Sequence, residues 1–175
     1  MKTGTQTSQP IGHYDFCQVL PTECTIRPQK VGPIVLTDKV WLLIVSTNNE
    51  VNSAVRPLND IDIYGRDEVW TYPDNGSGDC EDYALLKRRE LNQAGISLAN
   101  LLITVVRKPD GEGHAVLTVR TNTGDIVLDN LTDEVRSWRD TGYRFLKRQA
   151  SYHTGRWVSF DRRDRVGHLA STDGR

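Results

Sequence analysis

Long apolar runs are missing from this chain. The most hydrophobic stretch, VWLLIV over residues 40–45, falls far short of the roughly 20 residues that span a bilayer, which excludes membrane insertion. Charge of one dominant sign is missing too. The 22 Lys and Arg nearly balance the 23 Asp and Glu, for a formal net charge of −1, so nothing points to nucleic acid or a strongly anionic surface. There is no internal repeat, low-complexity block or domain linker. The opening MKTGTQTSQPIGH has no apolar signal core, which leaves a cytoplasmic chain or the mature form of an exported one. Cysteine is scarce, with three residues in 175. Cys17 and Cys24 either close a small ring in an oxidising compartment or stand as two half-buried thiols. Cys80 is the odd one out.

What is present suits one soluble domain large enough to bury a core. Residues 1–13 read as a flexible tail, and 14–33 as an extended or looped, Pro-punctuated segment. From Thr37, Val40, Leu43, Ile44, Thr47, Val51, Ala54 and Val55 recur at helical spacing, with Thr37 as N-cap and Pro57 past the end. A second helix is expected from Cys80 to about Asn92, stopped at Gly95, with Tyr83, Ala84, Leu86 and Leu91 inward and Lys87, Arg88, Arg89 and Glu90 on a solvated face. The period then shortens to two. Strands are predicted at 99–108, 114–121, 125–130 and 144–149, with a weaker one at 156–161. Helices first and an antiparallel sheet after make an α+β fold, a single domain over 14–161, with 162–175, including the basic run Arg162–Arg165, as a second solvated tail. Trp41, Trp70, Trp138 and Trp157 read as packing anchors.

The chemistry gathers at GSGDCEDYALLK, residues 76–87. A cysteine acts as nucleophile through its thiolate, and a helix N-terminus or a neighbouring imidazolium lowers the thiol pKa. Asp79 and Glu81 oppose this by their charge. Of four histidines, His13 and His168 fall in the expected tails and His153 follows the last clear strand. His114 opens a core strand directly after a Gly-rich loop, where a side chain can face a cleft. Hairpin arithmetic supplies a third group. If the TNTG connection is even, His114 and Asp129 share a face, opposite or one diagonal step apart; an odd loop or a bulge would separate them. Cys80, His114 and Asp129 then form nucleophile, base and orienting carboxylate. The Cys80 N–H is a natural oxyanion donor, with Trp70 or Tyr64 as candidates for a second.

The stretches YGRDEVWTYPDNGSGDCEDYALLKRREL, GHAVLTV and DIVLDN resemble the bacterial transglutaminase-like cysteine proteinases over residues 14–150. The resemblance implies a papain/transglutaminase-like core, N-terminal helices on an antiparallel sheet, and Cys80, His114 and Asp129 as the catalytic triad. It also implies a periplasmic, calcium-dependent peptidase that clips a surface adhesin and is restrained by a membrane-bound cyclic-dinucleotide receptor. Its calcium ligands would be Asp79, Glu81 and Asp82. Three carboxylates in one turn suit a hard cation and would cease to oppose a thiolate once neutralised; the alternative is an N-cap with favourable first-turn charges. The spacing is not that of an EF-hand. Two other functions use the same residues: acyl transfer to an amine by a transglutaminase or amidase, and a catalytically idle calcium-dependent binding module.

Overall fold

In a computed structural model, which describes residues 1–161, a seven-stranded sheet runs in the order β1-β9-β8-β4-β5-β6-β7 with every neighbouring pair antiparallel. The strands are β1 (Thr3–Thr7), β4 (Leu101–Arg107), β5 (Gly113–Thr121), β6 (Gly124–Leu128), β7 (Arg136–Ser137), β8 (Arg144–Ala150) and β9 (His153–Phe160). A separate parallel pair joins β2 (Arg56–Pro57) to β3 (Ser77–Gly78). The helices are α1 (Ile11–Val19), α2 (Pro21–Cys24), α3 (Asp38–Ala54), α4 (Asp60–Tyr64) and α5 (Cys80–Gln93). The α+β architecture follows from the order of the elements: α5 lies on β4 and β5, and α3 covers α5. No helix among the described residues is long and apolar enough to cross a membrane.

Local chemistry accounts for the two long helices. Thr37 caps α3 by accepting from the Val40 N–H at 3.3 Å, and Ile44, Thr47, Val51 and Val55 sink inward. Beyond α5, Gly95 takes φ 98°, a conformation that a side chain disfavours and that stops a helix. The main core joins Ile44, Leu85 and Leu91 of the helices to Leu101, Ile103, Leu117 and Val119 of the central strands.

Several expectations need correction. Residues 1–13 are no flexible tail: β1 pairs with β9 and is itself an edge of the sheet, and His13 in α1 is buried. The strand is polar and outward-facing, and the open hydrogen-bonding edge of β9 holds it. The looped segment 14–33 contains most of α1 and all of α2, the latter opened by Pro21 at its first position, where a fixed φ suits a helix. Lys87 and Arg88 are not solvated but 1% and 3% exposed, because α5 is covered on two sides. Trp70, Trp138 and Trp157 are buried anchors, whereas Trp41 is 37% exposed. The expectations for 162–175, with Arg162–Arg165 and His168, lie outside the described residues. Cys17 and Cys24 form a disulfide, tying α1 to α2.

Candidate functional site

Two elements far apart in the chain build one wall of a cleft. The β2–β3 pairing, continued by Leu58 N–H donating to Gly78 O at 3.1 Å, sets the start of α4 beside the start of α5. A Cβ on Gly78 would sit 2.5 Å from Asp82 Oδ2, so the close approach of chain to carboxylate requires glycine there. The cleft, about 840 Å³, is lined by Asp60, Asp79, Cys80 and Glu81 on this wall and by His114, Asn130 and Leu131 on the other.

The second wall is the end of the β5–β6 hairpin. Thr121 pairs with Gly124 and Leu117 with Leu128, so the connecting turn has two residues and the pairing is even. Continuing the register sets Asp129 across from Val116, one diagonal step from His114 on the same face. His114 Nε2 and Asp129 Oδ1 are 2.8 Å apart, both residues being buried. A carboxylate only accepts, so Nε2 carries the proton and Nδ1 is the ring's free nitrogen. Asp129 is held by two further donors, the Leu131 N–H at 3.0 Å and the Tyr143 hydroxyl at 2.6 Å. Burial alone would raise the Asp129 pKa, but His114, Tyr143 and Leu131 outweigh it and hold the carboxyl below its ordinary value. The Tyr143 ring also meets the His114 ring edge-on at 5.6 Å.

Cys80 heads α5. Its Sγ accepts from the Ala115 N–H at 3.3 Å, beside His114, and lies 3.2 Å from Glu81 Oε2. Burial, followed by the charges of Glu81 and Asp79, pushes the thiol pKa well up, so with these carboxylates uncompensated the group is a thiol. Burial and Asp79 likewise push Glu81 up to about 9.

The acidic cluster differs from the expected set. Asp79 and Asp82 come together with Asp60, their ligand atoms all within 4.8 Å of one another, while Glu81 groups with Asp79 and Cys80. Helix geometry explains the exchange: positions 79 and 82 are i and i+3, on one side, and position 81 is turned away. Asp60 Oδ1, Asp79 Oδ1 and Asp82 Oδ2 are buried with no hydrogen-bond partner among the described residues. Asp79 makes no side-chain cap bond, so it is not a plain N-cap. The second oxygens of Asp60 and Asp82 accept from the Val69 and Thr71 N–H groups, which leaves one oxygen of each carboxylate without a partner among the described residues. Burial dominates their pKa values, pushing Asp60 up to about 6 and Asp82 up to about 8. Three carboxylates, two of them on buried residues and one on a half-buried one, each with an orphaned oxygen, fit a hard divalent cation.

Asp60 and Tyr143 had no local signal; each arrives through tertiary contacts. Of the candidates for a second oxyanion donor, Trp70 spends its indole N–H on Glu68 at 3.3 Å, and Tyr64 stands 39% exposed, with its pKa raised by burial and by Asp82 and Asp60.

The family model described as bacterial transglutaminase-like cysteine proteinase matches residues 3–165. Among solved structures, calcium-bound Legionella pneumophila LapG is similar at 23% identity and TM-score 0.58, over 68% of each chain. LapG from the same organism matches at 19% identity and TM-score 0.58, over 86% of this chain and 81% of that one. Its EGTA-treated form matches at 19% identity and TM-score 0.59, over 89% and 81%. The curated proteins compared include no match.

Proposed function

The chain belongs to the bacterial transglutaminase-like cysteine proteinase family and is a cysteine peptidase; from that premise we propose that Cys80, His114 and Asp129 are its catalytic triad. The observation that carries this is the buried 2.8 Å bond between His114 and Asp129, at a cleft that Cys80 also lines. Cys80 Sγ attacks the scissile carbonyl and forms a C–S bond. The thiol proton passes to His114 Nδ1 and then to the leaving nitrogen as the C–N bond breaks. Water hydrolyses the thioester with His114 as base, releasing the acid and restoring the thiol. Asp129 keeps the proton on Nε2 and stabilises the imidazolium. The Cys80 N–H, at the start of α5, is the natural oxyanion donor.

Asp60, Asp79 and Asp82 are the ligands for calcium in this reading, which the orphaned oxygens support and the calcium-bound LapG accords with. Bound calcium would supply the positive charge that offsets the carboxylates crowding Cys80. The substrate is a protein; the family resemblance extends this to a periplasmic setting, a surface adhesin as target and a cyclic-dinucleotide receptor as restraint.

The test is cleavage of a peptide library by the wild type with calcium and by Cys80→Ala. Cleavage by the first alone is expected. Absence of cleavage, with iodoacetamide alkylating Cys80 no faster than a free thiol, would leave the binding module; incorporation of an added amine without hydrolysis would leave acyl transfer.

A further inference from the structure

Between α4 and β3 the chain passes through residues 68–71, and two backbone N–H groups of this segment hold carboxylates of the acidic cluster. Val69 N–H donates to Asp60 Oδ2, and Thr71 N–H donates to Asp82 Oδ1 at 2.8 Å. Asp60 and Asp82 are 2% and 0% exposed, and each keeps one oxygen buried without a hydrogen-bond partner among the described residues. With Asp79 they offer ligand atoms within 4.8 Å of one another. A cation site depends on the groups that orient its ligands as well as on the ligands themselves. Here the orienting groups flank a single residue, Trp70.

Trp70 is 6% exposed and is fixed from three directions. Its indole N–H donates to Glu68 Oε2 at 3.3 Å, across a turn where Glu68 takes φ 60°, a conformation unfavourable to a residue with a side chain. Its ring meets those of His13 and Trp157 edge-on, with centroids 5.5 and 6.2 Å away. At Gly12 the backbone of α1 comes so close that an added Cβ would run into the Trp70 ring and lie 2.7 Å from Glu68 O, so glycine is required for α1 to seat against this segment. The helix that presses on Trp70 is itself anchored. The Cys17–Cys24 disulfide ties it to α2, and the Trp157 indole N–H donates to His13 Nδ1 at 3.2 Å.

We infer that Trp70 is a positioning residue for the divalent-cation site: wedged against α1, it fixes the Val69 and Thr71 N–H groups and, through them, the carboxylates of Asp60 and Asp82. An indole offers the ion no oxygen, so its part is to hold the donors that hold the ligands. Without the ring, segment 68–71 slackens against α1, and like charges at Asp60 and Asp82 are no longer kept in register for a shared ion. The ligands all remain, but their geometry does not. The inference rests on the reading of Asp60, Asp79 and Asp82 as calcium ligands, and the experiment separates the two.

Calcium binding to the full chain, first stripped with chelator, is measured by calorimetry. The wild type is expected to bind; no binding at all would remove the calcium reading and this inference with it. Given wild-type binding, Trp70→Leu is expected to weaken it about tenfold or more. Trp70→Phe, which keeps a ring against α1, is expected to stay within about threefold of the wild type. The control is Trp138→Leu, which removes an equally buried indole from the separate cluster around Val106 and Phe145 and should leave calcium affinity unchanged. Should Trp70→Leu not fold, judged by circular dichroism without calcium, Gly12→Ala drives a methyl group into the same ring and takes its place, with the same expected loss. Wild-type affinity in a folded Trp70→Leu or Gly12→Ala, or an equal loss in Trp70→Phe or Trp138→Leu, overturns the positioning role and leaves the calcium reading standing.

Discussion

Two histidines among the described residues are buried, and they differ in their surroundings: His13 lies against cysteine sulfur, whereas His114 lies near the start of β5, whose next N–H, that of Ala115, donates to Cys80 Sγ. His13 Nδ1 is 3.6 Å from Cys17 Sγ and its Nε2 is 4.0 Å from Cys24 Sγ, but those sulfurs are joined in a disulfide. Trp157 Nε1 donates to Nδ1 at 3.2 Å, Gln149 Nε2 is 3.2 Å from Nε2, and the indoles of Trp70 and Trp157 meet the ring edge-on. Among the described residues no carboxylate is hydrogen-bonded to it. Burial, with Arg88 next, holds the His13 pKa down to about 3, so the ring stays neutral. His114 is about as buried, yet it has a carboxylate on one nitrogen and a cleft in front. Histidine beside sulfur is therefore no sign of catalysis by itself; the carboxylate and the access are what differ.

The comparison can be broken most decisively at Asp129. Asp129→Asn leaves the shape but not the charge, and peptide cleavage by kcat/KM should fall about 10³-fold or more, whereas His13→Gln should leave it within a few-fold. Equal losses would erase the distinction. Next in size is the acidic cluster. Asp60→Asn should weaken calcium binding, read by calorimetry, by about tenfold or more, since each ligand charge counts toward affinity; unchanged affinity would remove Asp60 from the site. Tyr143→Phe deletes one hydrogen bond to a charged group, worth about 1.5–3 kcal/mol, and kcat should fall about ten- to a hundredfold with the melting temperature nearly kept.

The smallest effect, confined to stability, comes from His13. Burial holds its pKa in the folded protein down to about 3, below the ordinary imidazole value of 6.5, so as pH falls the unfolded chain takes up its proton first. Stability from this group is present above about pH 6.5 and is lost progressively toward pH 3. Melting curves of the wild type should therefore drop across that window more steeply than those of His13→Gln, and parallel curves would show that the ring is not held neutral.

Much of this was legible in one dimension. Thr37 and Gly95 announced the ends of their helices because caps are local chemistry. His114 and Asp129 could be matched because an even turn preserves face, and the two-residue turn at 122–123 preserved it. Asp60 could not be found so, since it reaches Asp79 only through the pairing of two short strands separated by residues 58–76. Tyr143 was silent as well: β8 borders β4, two strands away from β6, and nothing near residue 143 says that its hydroxyl will reach Asp129. The burial of Lys87 was hidden because a helix covered on two sides has no reason to keep its polar residues on one face. β1 was missed because its polar residues show no alternation.

Residue order alone determined which chemical groups head which elements, a thiol at a helix start and an imidazole at a strand start, because caps, turns and periodicity depend on neighbours a few positions apart. Which carboxylates gather around them, which histidine stays neutral and which lysine loses its water were decided only when the layers closed. Those properties depend on distances in space and on exclusion of solvent, and neither exists until the chain has folded.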